Sequence, residues 1–172
     1  LSGVATATAA LVDAVKETNA KIVCTRKTTP GLRAFEKHAV RCGGGVNHRM
    51  GLFDAVLIKE NHIAAAGSIA ATLDAVRRTH PDIKIEVEVE NMSELEQAVD
   101  AGAEMIMLDN FPAGAIRDAT AFGDGRAVIE ISGNVDLANL ADIEDTGADY
   151  VSIGALTKHV RAIDFSMRIE KR

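Results

Sequence analysis

Between Ile22 and His62 seven cationic side chains, Arg26, Lys27, Arg33, Lys37, Arg41, Arg49 and Lys59, face three acids, Glu36, Asp54 and Glu60, a local balance of +4. The whole chain carries −6, so the remainder sums to −10. A compact cationic block rich in glycine, set in an acidic chain of pI near 5.4, points to a small anionic substrate. Nucleic acid would call for a basic domain. Arg33, Lys37 and Arg41 fit the solvated face of a helix, whereas Arg26, Lys27, Arg49 and Lys59 fall at strand ends or in glycine-rich loops. Arg26 and Arg49 suit bidentate grips on carboxylate or phosphate, and Lys27 and Lys59 act as point charges. Lys59 at a strand end also has the alternative reading of a Schiff-base lysine. His48, beside Arg49 after the run Gly43-Gly44-Gly45, is the histidine placed in the site, and His38 and His80 are read as surface residues.

The second set of reactive groups is acidic. Ile85-Glu-Val-Glu-Val-Glu90 alternates with period two, which puts Glu86, Glu88 and Glu90 on one strand face and the aliphatics on the other. On a parallel strand covered by helices, those carboxylates point inward and need a cationic partner such as Lys27, Lys59 or a hard metal like Mg²⁺. Asp109, one strand over, is the natural second carboxylate for a metal that keeps most of its waters and bridges phosphates. Ser132-Gly133-Asn134 and Gly154-Ala155 end two late strands, and glycine-rich turns there are expected to receive a phosphate.

The elements that must position these groups follow from periodicity. Residues 1–18 read as an opening helix and 21–25 as the first buried strand. Pro30-Gly31 breaks the chain before a helix at 32–42, and the triple glycine lets backbone approach a ligand. Strands are expected at 55–58, 84–90, 105–108, 127–131 and 150–153, with helices at 64–79, 93–101, 112–121 and 137–146 between them. Ser93 with Glu96 reads as a capping box, and 163–169 as a last strand. Strand centres near 87, 107, 129 and 151 recur at the length of one parallel βα unit. No strand is followed by Gly-x-Gly-x-x-Gly, and strand after strand ends in polar residues, so a barrel is favoured over a dinucleotide fold.

At 172 residues the chain is short for a complete eight-stranded barrel. Aromatic residues make up 3% and Trp is absent, in keeping with small side chains packing helices on a buried parallel sheet. Cys24 and Cys42 are too few for a disulfide framework, which points to a reducing, cytoplasmic setting. Neither a membrane span nor a charged-then-apolar leader is evident. The start at Leu1, within a helical pattern and without Met, reads as a fragment or processed form.

Seven motifs taken together resemble the quinolinate phosphoribosyltransferase family, the carboxylating nicotinate-nucleotide pyrophosphorylases. They are Thr25-Arg-Lys-Thr-Thr-Pro-Gly-Leu-Arg33, Arg41-Cys-Gly-Gly-Gly-Val-Asn-His-Arg49, Leu57-Ile-Lys-Glu-Asn-His62, Glu86-Val-Glu-Val-Glu90, Met107-Leu-Asp-Asn110, Ser132-Gly-Asn134 and Gly154-Ala-Leu-Thr-Lys-His159. The resemblance runs the length of the chain in order. It implies an α/β fold, an incomplete TIM-like parallel β/α barrel of seven strands or fewer (a type II phosphoribosyltransferase), occupying residues 1–172. It also implies that quinolinate and phosphoribosyl pyrophosphate react with Mg²⁺ to give nicotinate mononucleotide, pyrophosphate and CO₂ on the route to NAD. Thr25, Arg26, Lys27, His48, Arg49 and Lys59 would then hold quinolinate, Glu88 and Asp109 the ribose and the Mg²⁺–pyrophosphate side, and Ser132, Gly133, Asn134 and Gly154 the 5′-phosphate. Lys27, Lys59, Glu88 and Asp109 would carry catalysis. Family members have an N-terminal α/β domain that supplies an arginine to the neighbouring subunit, so this chain, which lacks it, is expected to be poorly active alone. The full-length enzyme is expected to be a homodimer or higher homo-oligomer in the cytoplasm, without nucleic-acid or membrane partners. The alternatives are a paralogous barrel associated with molybdate uptake and a phosphate-binding barrel without turnover.

Overall fold

The computed structural model describes residues 1–142 and 146–170. Six parallel strands form one sheet: β1 (Lys21–Val23), β2 (Ala55–Ile58), β3 (Lys84–Val89), β4 (Met105–Asp109), β5 (Val128–Ser132) and β6 (Tyr150–Ser152). They lie in the order β1-β6-β5-β4-β3-β2. Helices α1 (Ser2–Ala14), α2 (Arg33–Cys42), α3 (Glu60–Ala66), α4 (Ile69–Thr79), α5 (Met92–Asp100), α6 (Ala113–Gly123) and α7 (Ala155–Lys158) complete the βα alternation. The sheet runs as an incomplete barrel whose open seam falls between β1 and β2. Val46 makes the one bridge there among the described residues, pairing with Val23 on the outer edge of β1, through Val46 N–H to the Ile22 carbonyl at 2.8 Å and Cys24 N–H to the Val46 carbonyl at 3.2 Å.

Strand alternation divides the two faces of the sheet. Ile22, Ile58, Val87, Val89, Ile106, Leu108, Ile129, Ile131, Val151 and Ile153 are buried among the helices. Each such aliphatic contributes about 1.5–3 kcal/mol on leaving water. The opposite face of β3, β4 and β5 carries Glu86, Glu88, Met107 and Glu130, and the register sets Glu88 beside Met107 and Met107 beside Glu130. The hydrophobic layer therefore lies outside the sheet, and its concave side is left to polar groups.

Several expectations are corrected. The single helix at 64–79 is two, because Gly67 turns the chain at φ 91° and Ser68 starts α4 by accepting the Ala71 amide. Helix α5 is capped by Asn91 rather than Ser93: Asn91 Oδ1 accepts the Glu94 amide at 3.0 Å, and Glu94 Oε2 accepts the Glu90 amide at 2.9 Å. Within the stretch expected as a helix at 137–146, the described residues form only a 3₁₀ turn, Leu140–Asp142, and 143–145 lie outside them. Residues 163–169 add no strand. The free edge of β1 is taken by Val46, and Phe165, Met167 and Ile169 stay exposed. Gly43 and Gly45 serve packing instead of ligand approach, since a Cβ on Gly43 would meet the Ala5 carbonyl at 2.5 Å and one on Gly45 the Thr8 methyl at 2.7 Å. Lys37, read as solvated, is 1% exposed. Among the described residues no helix is long and apolar enough to cross a membrane.

Candidate active site

A cavity of about 580 Å³ opens at the carboxyl ends of the strands. All twelve residues singled out from the sequence line it. Seven elements bring them there: the loop after β1 (Thr25, Arg26, Lys27), the seam segment (His48, Arg49), the ends of β2 (Lys59), β3 (Glu88) and β4 (Asp109), the turn after β5 (Ser132, Gly133, Asn134) and the turn after β6 (Gly154).

The β1 loop is fixed from both sides. Thr25 Oγ1 accepts the Lys27 amide at 3.1 Å, and the Lys27 carbonyl accepts the Thr157 hydroxyl at 2.7 Å. Buried Glu36 on α2 accepts both the amide and the hydroxyl of Thr29 at 3.0 and 2.7 Å. Gly154 leaves room for Lys27, whose Cδ would lie 3.4 Å from a Cβ there.

The seam segment carries His48 and Arg49 inward. Arg49 Nη1 donates to the Ala55 carbonyl at 3.2 Å, tying the segment to β2. Burial, then the charge of Arg26, holds the Arg49 guanidinium below its usual range. His48 Nδ1 accepts the Arg49 amide at 2.8 Å, so the ring proton sits on Nε2, which donates to Glu86 Oε2 at 2.7 Å. Glu130 Oε2 lies 3.7 Å from the same nitrogen. Burial lowers the imidazole pKa, but the Glu86 hydrogen bond and the charges of Glu130 and Glu86 outweigh it, and the net direction is upward. A second proton on the ring must displace the Arg49 amide from Nδ1.

On the far wall Lys59 Nζ is ion-paired with Glu88 Oε2. That ion pair fits the point-charge role expected of Lys59. Burial pushes the Glu88 carboxyl up, Lys59 pulls it back, and Asp109 adds to the rise. Two carboxylates on neighbouring strands, one incompletely compensated, form a donor set suited to a hard divalent cation that carries phosphate oxygens. Asp109 Oδ2 accepts from Asn110 Nδ2 at 2.9 Å. Asn110 and Asn134 both adopt positive φ, 54° and 49°, and Asn134 Nδ2 donates to Asn110 Oδ1 at 3.2 Å. Gly133 lies between them at φ 97°, where a Cβ would fall 2.3 Å from Asn110 Oδ1.

Sequence reasoning missed four cavity residues of note. Glu130 is completely buried, and Ser152, Lys158 and His159 complete the wall after β6. Glu130 was legible in principle, because Val128, Glu130 and Ser132 alternate with Ile129 and Ile131 as the glutamates of β3 alternate with their aliphatics.

Residues 4–168 match the family model described as quinolinate phosphoribosyl transferase, C-terminal domain. The nicotinate-nucleotide pyrophosphorylase [carboxylating] of Mycobacterium leprae is 49% identical over 170 residues, spanning 97% of this chain and 60% of that protein. The probable counterpart from Bacillus subtilis is 44% identical, with 98% and 59% covered. Among solved structures, the nicotinate-nucleotide pyrophosphorylase from Francisella tularensis superposes with a TM-score of 0.92 at 48% identity, covering 94% of this chain and 58% of that one. NadC from Streptococcus pyogenes gives 0.92 at 46%, with 96% and 59% covered. The chain thus spans about three fifths of the length of the relatives it matches.

Proposed function

The chain belongs to the quinolinate phosphoribosyl transferase family by its C-terminal domain, and on that premise we propose that its cavity transfers phosphoribose to quinolinate with loss of CO₂, giving nicotinate mononucleotide and pyrophosphate. The observation that carries this reading is that one cavity is lined both by Arg26, Lys27, His48, Arg49 and Lys59 and by the carboxylates Glu88 and Asp109. A pyridine dicarboxylate matches the first and a metal-bound sugar pyrophosphate the second.

Arg26 and Arg49 grip the two ring carboxylates, and Lys27 and Lys59 add point charges that orient the ring nitrogen toward the ribose. Glu88 stabilises the positive charge that develops on the ribose as the C1′–oxygen bond to pyrophosphate breaks and the nitrogen–C1′ bond forms. Glu88 and Asp109 would hold Mg²⁺, which neutralises the departing pyrophosphate when bound. Ser132, Gly133, Asn134 and Gly154 receive the 5′-phosphate. Once the nitrogen is quaternary, the C2–carboxylate bond breaks, the electron pair stays at C2 beside the cationic nitrogen, and C2 takes up a proton.

The expected homodimer and cytoplasmic setting belong to the same proposal. Exposed Phe35, Leu52 and Phe53 support self-association, and two free cysteines support a reducing compartment. The test is an assay of CO₂ release and nicotinate mononucleotide formation from quinolinate, phosphoribosyl pyrophosphate and Mg²⁺. Glu88→Ala is expected to lower kcat by about a hundredfold or more, and unchanged turnover would remove the carboxylate from the mechanism.

A further inference from the structure

Arg26 and Arg49 reach one cavity on loops: Arg26 follows β1 and Arg49 lies in the seam segment, so no strand ladder fixes either of them. Burial, then the repulsion of Arg26, already holds the Arg49 guanidinium below its usual range, and the two charges push apart. A ligand with two carboxylates gains most when the separation of two such cations is set before it binds.

Helix α2 supplies that setting through Arg33, Glu36 and Lys37, which share one helix face at i, i+3 and i+4. Arg33 is the crossbar. Its Nε donates to Thr28 Oγ1 at 3.1 Å, and Nη1 of the same planar group donates to the Met50 carbonyl at 3.1 Å. Thr28 in turn donates its amide at 2.9 Å and its hydroxyl at 3.4 Å to the Arg26 carbonyl. On the other side Met50 follows Arg49 directly, and Asp54 Oδ2 accepts its amide at 2.6 Å. Glu36 and Lys37, both buried, hold the flanks: Glu36 accepts from the amide and hydroxyl of Thr29, and Lys37 donates to the His48 carbonyl. None of the three lines the cavity, so any effect on a ligand passes through the loops they hold.

We infer that Arg33, Glu36 and Lys37 are positioning residues, a brace that fixes the separation of Arg26 and Arg49 and so sets the preference of the cavity for two carboxylates over one. For its ligand the brace rests on the proposed quinolinate reading, and for its geometry on the hydrogen bonds that join α2 to both arginine-bearing loops. Arg41, an exposed cation on the same helix, lies outside the brace.

Calorimetric titration with quinolinate and with nicotinate at pH 7 reads the ratio of the two affinities. Arg33→Met is expected to lower that ratio by about tenfold, chiefly through weaker quinolinate binding. Arg33→Lys keeps the charge but not the two-pronged donor, and is expected to match it. Arg41→Met removes an equal charge from α2 and should leave the ratio within about twofold of the wild type. A ratio unchanged in Arg33→Met, or lowered as much in Arg41→Met, overturns the inference. Where Arg33→Met does not fold, Thr28→Val and Thr28→Ser decide: the valine loses the hydroxyl relay and lowers the ratio, the serine keeps it, and equal ratios overturn the brace. If the wild type binds neither acid, or both alike, the functional reading fails and amide hydrogen exchange decides the brace on its own. The Arg49 amide, bonded to His48 Nδ1, is then expected to exchange at least about tenfold faster in Arg33→Met than in Arg41→Met, and equal rates overturn it.

Discussion

Lys37 Nζ donates to the main-chain carbonyl of His48 at 2.8 Å from a side chain almost wholly out of contact with water. The same ammonium lies 3.1 Å from Cys24 Sγ. One lysine on α2 thus ties the end of β1 to the seam segment, at the level where both deliver cations to the cavity. Lys37→Met keeps the apolar stem and removes the donor, leaving a carbonyl unsatisfied. The expected cost is about 1–3 kcal/mol in urea unfolding, accompanied by weaker quinolinate binding, because Arg49 follows His48 directly. Loss of stability with ligand affinity intact would show that the contact is structural only.

Gly133 makes a sharper case for backbone constraint. At φ 97° it leaves no space for a Cβ beside Asn110, whereas Gly125, at φ 68°, has nothing within 4 Å. Gly125→Ala is expected to cost only the backbone strain, about 1 kcal/mol. Gly133→Ala adds a clash that pushes apart the turns after β4 and β5. Its ribose 5-phosphate affinity is expected to fall at least about tenfold, equivalent to about 1.4 kcal/mol, and equal behaviour of the two variants would discount the turn as a phosphate seat.

Lys59 and Glu88 depend on each other across neighbouring strand ends. Lys59→Met strands the Glu88 carboxylate and removes a cation from the pocket. Because the Lys59 side chain is 42% exposed and partly screened by water, quinolinate affinity is expected to drop by about tenfold. Adding Glu88→Gln to that variant should then cost less than it does in the wild type, a coupling read from a double-mutant cycle.

Stability is expected to fall as pH rises through the neutral range. Glu130 shifts from an ordinary 4.5 in the unfolded chain to about 8 in the fold, so the folded state holds the extra proton between those values. Its contribution is full below about 4.5, declines as pH rises toward 8 and is gone above it. His48, also raised, acts in the same direction from its ordinary 6.5 upward. Denaturant unfolding from pH 5 to 8 should therefore show the wild type losing ground to Glu130→Gln, by at most roughly 5 kcal/mol. Parallel stability curves would contradict the assignment.

The fold was legible where local pattern and global architecture agree. The alternation places Glu86 and Glu88 on one face of β3 and the aliphatics on the other because helices cover the sheet, as the regular βα spacing implied, but Glu90, expected on the inward face with them, falls past the end of the strand and is exposed. Of the twelve cavity residues, those after β1 to β6 lie where strand ends in a parallel barrel converge, whereas Thr25 and the roles given to the set came from the family resemblance. What stayed hidden depends on contacts far apart in sequence. Lys37 reads as a surface lysine until α2 packs against the seam segment, and Glu130 is one carboxylate in a short apolar run until β5 lies near Glu86. Gly43 and Gly45 look like ligand-binding glycines, yet it is α1 that requires their missing side chains. The break at Gly67 and the Asn91 cap were present in the sequence as a helix-ending glycine and a good capping residue, outcompeted by the stronger apolar periodicity around them.

The central claim, that this cavity seats a pyridine dicarboxylate against Arg26 and Arg49, is tested most directly by calorimetric titration of the chain with quinolinate at pH 7, with nicotinate as the single-carboxylate comparison. The account predicts saturable one-to-one binding of quinolinate, at least about tenfold weaker binding of nicotinate, and loss of that preference in Arg49→Met. Equal affinity for the two acids, or quinolinate binding untouched by Arg49→Met, would contradict it.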